Sequence, residues 1–597
     1  MTPTTMTPTT VSPAKSRYLE APSSWRAFVR ARESSLIGLA AVIGAIGGLA
    51  VAAMSGAVML LHAALFGLPL GDRVSEQATL DPVLAVVVPA LGGLVLGVAL
   101  LLLPRWRPPR EVDPIEANAL HGGRMSFRGS VIVALQTIWS SGVGASVGLE
   151  AGYTQLASGL AASIGRGFHL RRADQRIMVG CGAAAAIAGA FGAPLAGAFY
   201  AFELVIGGYT PASLTPVGVA AVTGYLVSRL FMSFSIGVVA GPIAEVTSQD
   251  LVIAAGLGVA AAMFGIGIMR SVAFCEWLLA RRWIWPPLRP VLGGLVVGLL
   301  ALVSPQVMSS GHGALHLTGL GQMTLAGAGL VFALKTLASI ASLGSGFRGG
   351  LFFASLLLGA LGGRLFAAGL GAVWPGAPLD PNAYSIIGMG ALSASIIGGP
   401  LTMTFIALET TGDLWLATAV LVAVIISTQL TREIFGYSFA TWRFHLRGET
   451  IRSAADIGWI RDLTVARMMR RDVTTVDSAM TIEEFRGRFP LGSKTQIVAE
   501  DEDGRYRGIV FVAEAHAADH THVRRISEIM RYEDTTLLPS MNVQEAVAAF
   551  DRAEAEALAV IDSPEHRKVI GLLTETHTLR RYSEESEKRR REVLGET

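Results

Sequence analysis

Apolar residues through most of this chain neither alternate nor recur at helical spacing; they run on. Stretches such as 36–66, 82–103, 177–202, 251–268 and 383–408 contain no Asp, Glu, Lys or Arg. A helix needs about 20 predominantly apolar residues to cross a bilayer, and each run approaches or exceeds that length. After about residue 440 the pattern changes to the mixed polar and apolar texture of water-soluble protein. The pattern predicts an all-α polytopic membrane domain over 34–440, a linker over 441–460 and an α+β region in two parts, 461–520 and 521–583. A Thr/Pro-rich tail over 1–33 is expected to be disordered, and 584–597 is a charged tail.

The membrane region repeats itself. "GAPLAGAFYAFEL" (192–204) and "GGPLTMTFIALET" (398–410) keep Pro194/Pro400, Leu195/Leu401, Phe199/Phe405, Ala201/Ala407 and Glu203/Glu409 in register. A weaker echo precedes each copy, "VGLEAG" at 147–152 against "GGLFFA" at 349–354. Duplicated membrane halves broken by glycine and proline are the pattern of transporters whose substrate lies near mid-bilayer between discontinuous helices. Around 141–152 and 343–350 the glycines predict an extended approach followed by a helix start. Such a start presents free N–H groups and the positive end of the helix dipole, which hold an anion. For an isolated glycine pair, close packing of helices through small residues is the better explanation. The recurrence in matching halves favours the anion site.

One charge marks that site. Between Arg128 and Arg166 the only charged residue is Glu150, and a charge at mid-bilayer costs about 3 kcal/mol or more, so it is expected to serve the transported ion or proton. Glu203 and Glu409, isolated but twinned, are expected to share a structural task near a helix end.

Composition agrees. Of 597 residues 51% are hydrophobic and 16% charged, with a mean hydropathy of +0.50, too apolar for a soluble enzyme of this size. The formal net charge of +2 does not suggest a nucleic-acid partner. Two cysteines, Cys181 and Cys275, are too few for a disulfide framework or a cysteine metal site. No nucleophile–base constellation or metal motif points to an enzyme. Lys15, Arg17, Arg26, Arg30 and Arg32 precede the first span and predict a cytoplasmic N-terminus; the basic segment after the last span predicts the same side for the C-terminal region.

On these residues the chain resembles the CLC family of chloride channels and chloride/proton antiporters from about 34 to 581. "GLEAG" (148–152) is similar to the family's GREGP motif, "GGLFFA" (349–354) to GGIFAP, and "FGYSFATWRFHLRG" (435–448) to its last membrane helix. The resemblance implies a homodimer in the cell membrane, chloride or a similar inorganic anion as cargo, and no required cofactor. It makes Glu150 the gating glutamate, and lines the anion path with the backbone N–H groups of Leu149, Glu150, Ala151, Leu351, Phe352 and Phe353 and the hydroxyl of Tyr437. Voltage- or pH-gated passive conduction is the expectation. Coupled chloride/proton antiport is the alternative, and a CBS-containing transporter of another ion, which would need facing acids for a hard cation, comes third.

The chain also departs from the family. By position, "REVDP" (110–114) puts Glu111 where the family has a serine that donates to the anion. An ionised carboxylate cannot donate and repels an anion, so either the backbone differs there or another group faces the ion. Leu204 stands where family antiporters carry a second acid, which resembles the channels. Ala354 replaces a motif proline.

In the C-terminal region "MRRDVTTVDSAMTIEEF" from Met469 and "MRYEDTTLLPSMNVQEA" from Met530 align at a constant offset and resemble a tandem CBS pair. Such pairs can bind adenine nucleotide. The nucleotide motif is degraded to "GLLTETH", with Thr574 kept and His577 in place of its acid, so a structural, dimer-stabilising pair is an equal expectation. Histidines 516, 520 and 522 read as a polar loop rather than a metal site.

Overall fold

The computed structural model describes residues 21–22, 24, 26, 33–106, 111–232, 243–280, 284–311, 323–375, 379–446, 463–517 and 524–594. Lys15, Arg17, Arg30 and Arg32, most of the 441–460 linker and histidines 520 and 522 lie outside them. The chain divides into two compact units, Met1–Asp456 and Ile457–Thr597.

Among its described residues, the regular elements of the first unit are all helices. Six helices among the described residues are long and apolar enough to cross a membrane: Ser34–Phe66, Pro82–Leu102, Ser248–Leu279, Leu325–Ser345, Phe352–Val373 and Leu414–Arg443. Others are shorter and start or stop inside the unit, which a membrane interior tolerates only where protein surrounds the broken backbone. Local chemistry sets these ends. Asp81, Asp113, Asp380 and Asp413 accept backbone N–H groups of the turns they open, three of them just before a proline.

The sequence repeat is a structural one. The Arg172–Phe191 helix ends at Gly192 (φ 67°) and Pro194 opens the next; the Pro381–Ile397 helix ends at Gly398 (φ 89°) and Pro400 opens the next. A residue with a Cβ is strained at such a left-handed position, so glycine and proline fix the same break in both halves. Glu203 and Glu409 tie the halves together. Glu203 accepts the N–H groups of Leu401 and Thr402 (2.8 and 2.9 Å) and the Thr402 hydroxyl. Glu409 accepts those of Leu195 and Ala196 (2.8 and 3.0 Å). Each repeat thus caps the helix start of the other.

The second unit contains β1 (Thr475–Asp477), β2 (Gln496–Glu500) and β3 (Tyr506–Phe511) in one sheet, and β4 (Ala557–Ile561) paired with β5 (Val569–Thr574) in another. Val476 pairs in parallel with Ala499, and Leu537 with Val560, at the offset read from the sequence. The copies exchange their lead-in segments: Arg470 bridges Leu572 of the second copy, and Arg531 bridges Ile509 of the first.

Candidate functional site

Two broken helices meet at one point of the membrane unit. The Phe127–Gly142 helix stops, an irregular segment follows, and a new helix begins at Glu150; the Leu325–Ser345 helix stops and another begins at Phe352. A two-residue bridge joins the approaches, Gly148 N–H to Gly350 C=O at 2.9 Å and Gly350 N–H to Gly148 C=O at 3.0 Å. Ser146 pins the first approach from behind, its N–H donating to Ser342 Oγ (2.9 Å) and its hydroxyl pairing with Ser339 (3.1 Å). Two helix N-termini therefore sit side by side, as the echoing glycine segments predicted.

Glu150 occupies the junction. It is 3% exposed, and its Oε1 accepts the Phe353 N–H at 2.9 Å, in the first turn of the opposite helix. Its Oε2 has no hydrogen-bond partner among the described residues. A Cβ on Gly148 would overlap the carboxylate, so glycine there makes room for it. A side-chain anion thus lies where two helix starts offer donors. Phe191 stacks on Phe352 and Phe353 (centroids 4.5 and 4.3 Å) and fixes the second start.

Cavities flank this point. The larger, about 180 Å³, is lined by Glu150, Ala151, Leu351 and Phe352, with Leu204, Tyr200, Phe439, Glu111, Arg348 and Arg443 among its other walls. The smaller, about 40 Å³, is lined by Leu149 and Phe353 together with Tyr153, His62 and Arg73. The predicted backbone lining is thus divided between two spaces, Glu150, Ala151, Leu351 and Phe352 on the larger and Leu149 and Phe353 on the smaller. Tyr437 is not on either wall. It packs against Trp442 and Phe435 (centroids 5.5 and 6.5 Å), while Phe439, later in the same segment, and Tyr200 reach the large cavity. Gly436, with φ 84°, directly precedes it.

A profile described as "Voltage gated chloride channel" matches residues 98–432. The chain belongs to this family, the CLC proteins. It is 35% identical over 388 residues to a putative ClcB-like chloride channel protein of Ralstonia nicotianae, covering 63% of this chain and 89% of that protein. It is 31% identical over 407 residues to the voltage-gated ClC-type chloride channel ClcB of Salmonella dublin, covering 66% and 95%. Among solved structures it is similar in fold to a slow cyanobacterial Cl⁻/H⁺ antiporter (TM-score 0.59, 22% identity, 69% and 97% covered). A eukaryotic CLC transporter gives TM-score 0.59 at 17% identity and covers 92% of this chain and 98% of its own. A CBS-domain profile matches residues 526–584.

Within this CLC chain the departure at Glu111 has a structural counterpart. Glu111 is ion-paired with Arg348 on the wall of the large cavity, so a cation answers the acid. Arg348 was not singled out in the sequence, nor was Lys335, the only charge in its helix. Lys335 is 0% exposed and donates to the carbonyls of Val307 and Ser309 (3.0 and 2.8 Å). The criterion that found Glu150, one charge in an uncharged run, finds Lys335 as well.

In the CBS region Thr574 ends β5, and its hydroxyl accepts the His577 N–H at 3.4 Å, capping the Glu575–Leu594 helix. His516 bonds the Phe489 carbonyl oxygen through Nε2 at 2.9 Å.

Proposed function

We propose that this multi-pass CLC membrane protein, a chloride transporter in the broad sense and not an enzyme, conducts chloride passively with Glu150 as its gate. One observation carries the reading. The Glu150 carboxylate accepts a backbone N–H from the start of the opposite broken helix and lines the large cavity at that junction, which is what a tethered mimic of the passing anion does. Protonation or displacement of that carboxylate opens the path. Leu204, apolar on the wall of the large cavity, supports conduction without proton coupling, because leucine relays no proton. The relatives named as chloride channels agree. Both cavities are built within a single chain, so in a homodimer each subunit carries its own path. The N-terminus and CBS region lie on the cytoplasmic side in this reading, by the positive-inside rule. We read the CBS pair as a structural, dimer-stabilising unit, since the Thr574 hydroxyl is engaged as a helix cap.

Antiport is the second reading, and Glu111 favours it: it is another carboxylate on the large cavity, opposite in function to Leu204.

Chloride efflux from liposomes, with proton movement recorded together, tests both. The channel reading expects chloride flux with protons at equilibrium. It also expects Glu150→Ala to conduct without pH-dependent closure. Protons driven uphill by a chloride gradient establish antiport instead, and absence of chloride flux from folded protein overturns both.

A further inference from the structure

Glu111 and Arg348 pair on the wall of the large cavity, yet their anchorage is unequal. Arg348 is held from several sides: its backbone N–H donates to Ser140 Oγ (3.1 Å) and its Nε to Gln136 Oε1 (3.1 Å), leaving Nη2 for Glu111. It stands two residues before Gly350, in the short segment that the glycine bridge fastens to Gly148. The Glu111 carboxylate has Arg348 as its only hydrogen-bond or ion-pair partner among the described residues. The guanidinium is therefore fixed and the carboxylate is the removable half.

Both side chains are about a quarter exposed, 27% for Glu111 and 26% for Arg348, in a space lined on its other sides by Glu150 and the helix starts. The remaining charged groups on that wall have other work. Asp113 caps Ile115 (2.8 Å), Glu150 accepts from Phe353, and Arg443 lies over the Phe439 ring (5.9 Å). A guanidinium away from bulk water needs an anionic partner, and forms its strongest hydrogen bonds with one.

We infer that Arg348 is the anion ligand of the large cavity and that Glu111 is a tethered competitor for it, so that chloride binds by displacing the Glu111 carboxylate. This rests on the chloride reading above. It places two carboxylates in series along the path, Glu150 on backbone donors and Glu111 on an arginine, each imitating the ion that replaces it.

The test is the half-saturating chloride concentration for flux in liposomes, measured for wild type, Glu111→Gln, Arg348→Gln, Arg348→Lys and the Glu111→Gln/Arg348→Gln pair. Removing the competitor lowers half-saturation by roughly three- to tenfold, the effect of a partly exposed charge pair. Arg348→Gln raises it and lowers maximal flux, because an unpaired carboxylate then faces the anion. The double variant regains flux but keeps the weakened half-saturation, and Arg348→Lys, which keeps the charge without the guanidinium fork, falls between wild type and Arg348→Gln. Bromide diffraction supplies a second readout: an anomalous peak at Arg348 in Glu111→Gln supports the inference. If Glu111→Gln keeps wild-type half-saturation, and the variants differ only in melting temperature, the pair is a structural bridge and the inference falls. Wild-type flux and its loss of closure in Glu150→Ala are the controls: with both intact, failure belongs to Arg348 alone, whereas absence of wild-type flux takes down the chloride reading and this inference together.

Discussion

Single charges in an apolar field were the most legible residues in the sequence, because the cost of a buried charge makes each one an exception that needs a cause. Glu150 was legible in that way, and the structure sets it on the Phe353 N–H. Tyr437 was less so, since its orientation depends on a turn at Gly436 and on packing with Phe435 and Trp442 that no local pattern encodes. Arg348 was invisible for another reason: its meaning lies in a partner more than two hundred positions away. Lys335 offers a prediction at this scale. Its ammonium satisfies two buried carbonyls, so Lys335→Met leaves both without a donor, at about 1–3 kcal/mol for each unsatisfied group. The relief of no longer burying a charge offsets part of that loss. The expected outcome is a lower melting temperature in detergent, read by tryptophan fluorescence; an unchanged or higher value would show that the carbonyls find other donors.

At the scale of elements, the breaks in the helices were legible because glycine and proline act locally: Gly192–Pro194 and Gly398–Pro400 need nothing remote to end one helix and open another. The reciprocity of the caps was only half legible, as a twinned pair with a shared task. Glu203 holds the start of the second repeat's helix and Glu409 that of the first, so neither carboxylate caps its own repeat. Glu409→Ala removes the acceptor for two N–H groups at the Pro194–Tyr200 start and is expected to destabilise the membrane unit by about 1–3 kcal/mol. Glu409→Gln, which keeps an acceptor but no charge, loses less. Both are expected to keep the half-saturating chloride of the wild type, because the cap lies outside the cavity walls. A changed half-saturation in Glu409→Gln at wild-type melting temperature would instead place this carboxylate in the conduction machinery.

Over the whole molecule the sequence showed two duplications, one in each unit, but not how far the second pair of copies depends on mutual exchange. The CBS profile matches 526–584, in the second copy, and the strands of the first copy repeat those of the second. Burial explains why the likeness survives weak sequence: the middle three residues of β2 and all five of β4 are buried, so apolar character there is enough to keep each strand in place. The exchange reaches into the cores. Leu463, Val465 and Met468, which lead into the first copy, are buried with Leu537, Val543, Phe550 and Leu573 of the second. Ile526 and Ile529, which lead into the second, are buried with Val476, Phe485 and Val510 of the first. Val498, Tyr506 and Ile509 share a third core with Ala559 and Ile561. Cutting the unit between its copies therefore strips each core of residues supplied by the other, and a domain so small has little apolar burial to spare. Residues 457–597 are expected to show one cooperative thermal transition by circular dichroism, while 524–597 alone shows none and regains one when mixed with 457–523. A cooperative transition in 524–597 alone would mean that the matched copy is self-sufficient, and that the exchanged segments add contacts without completing its core.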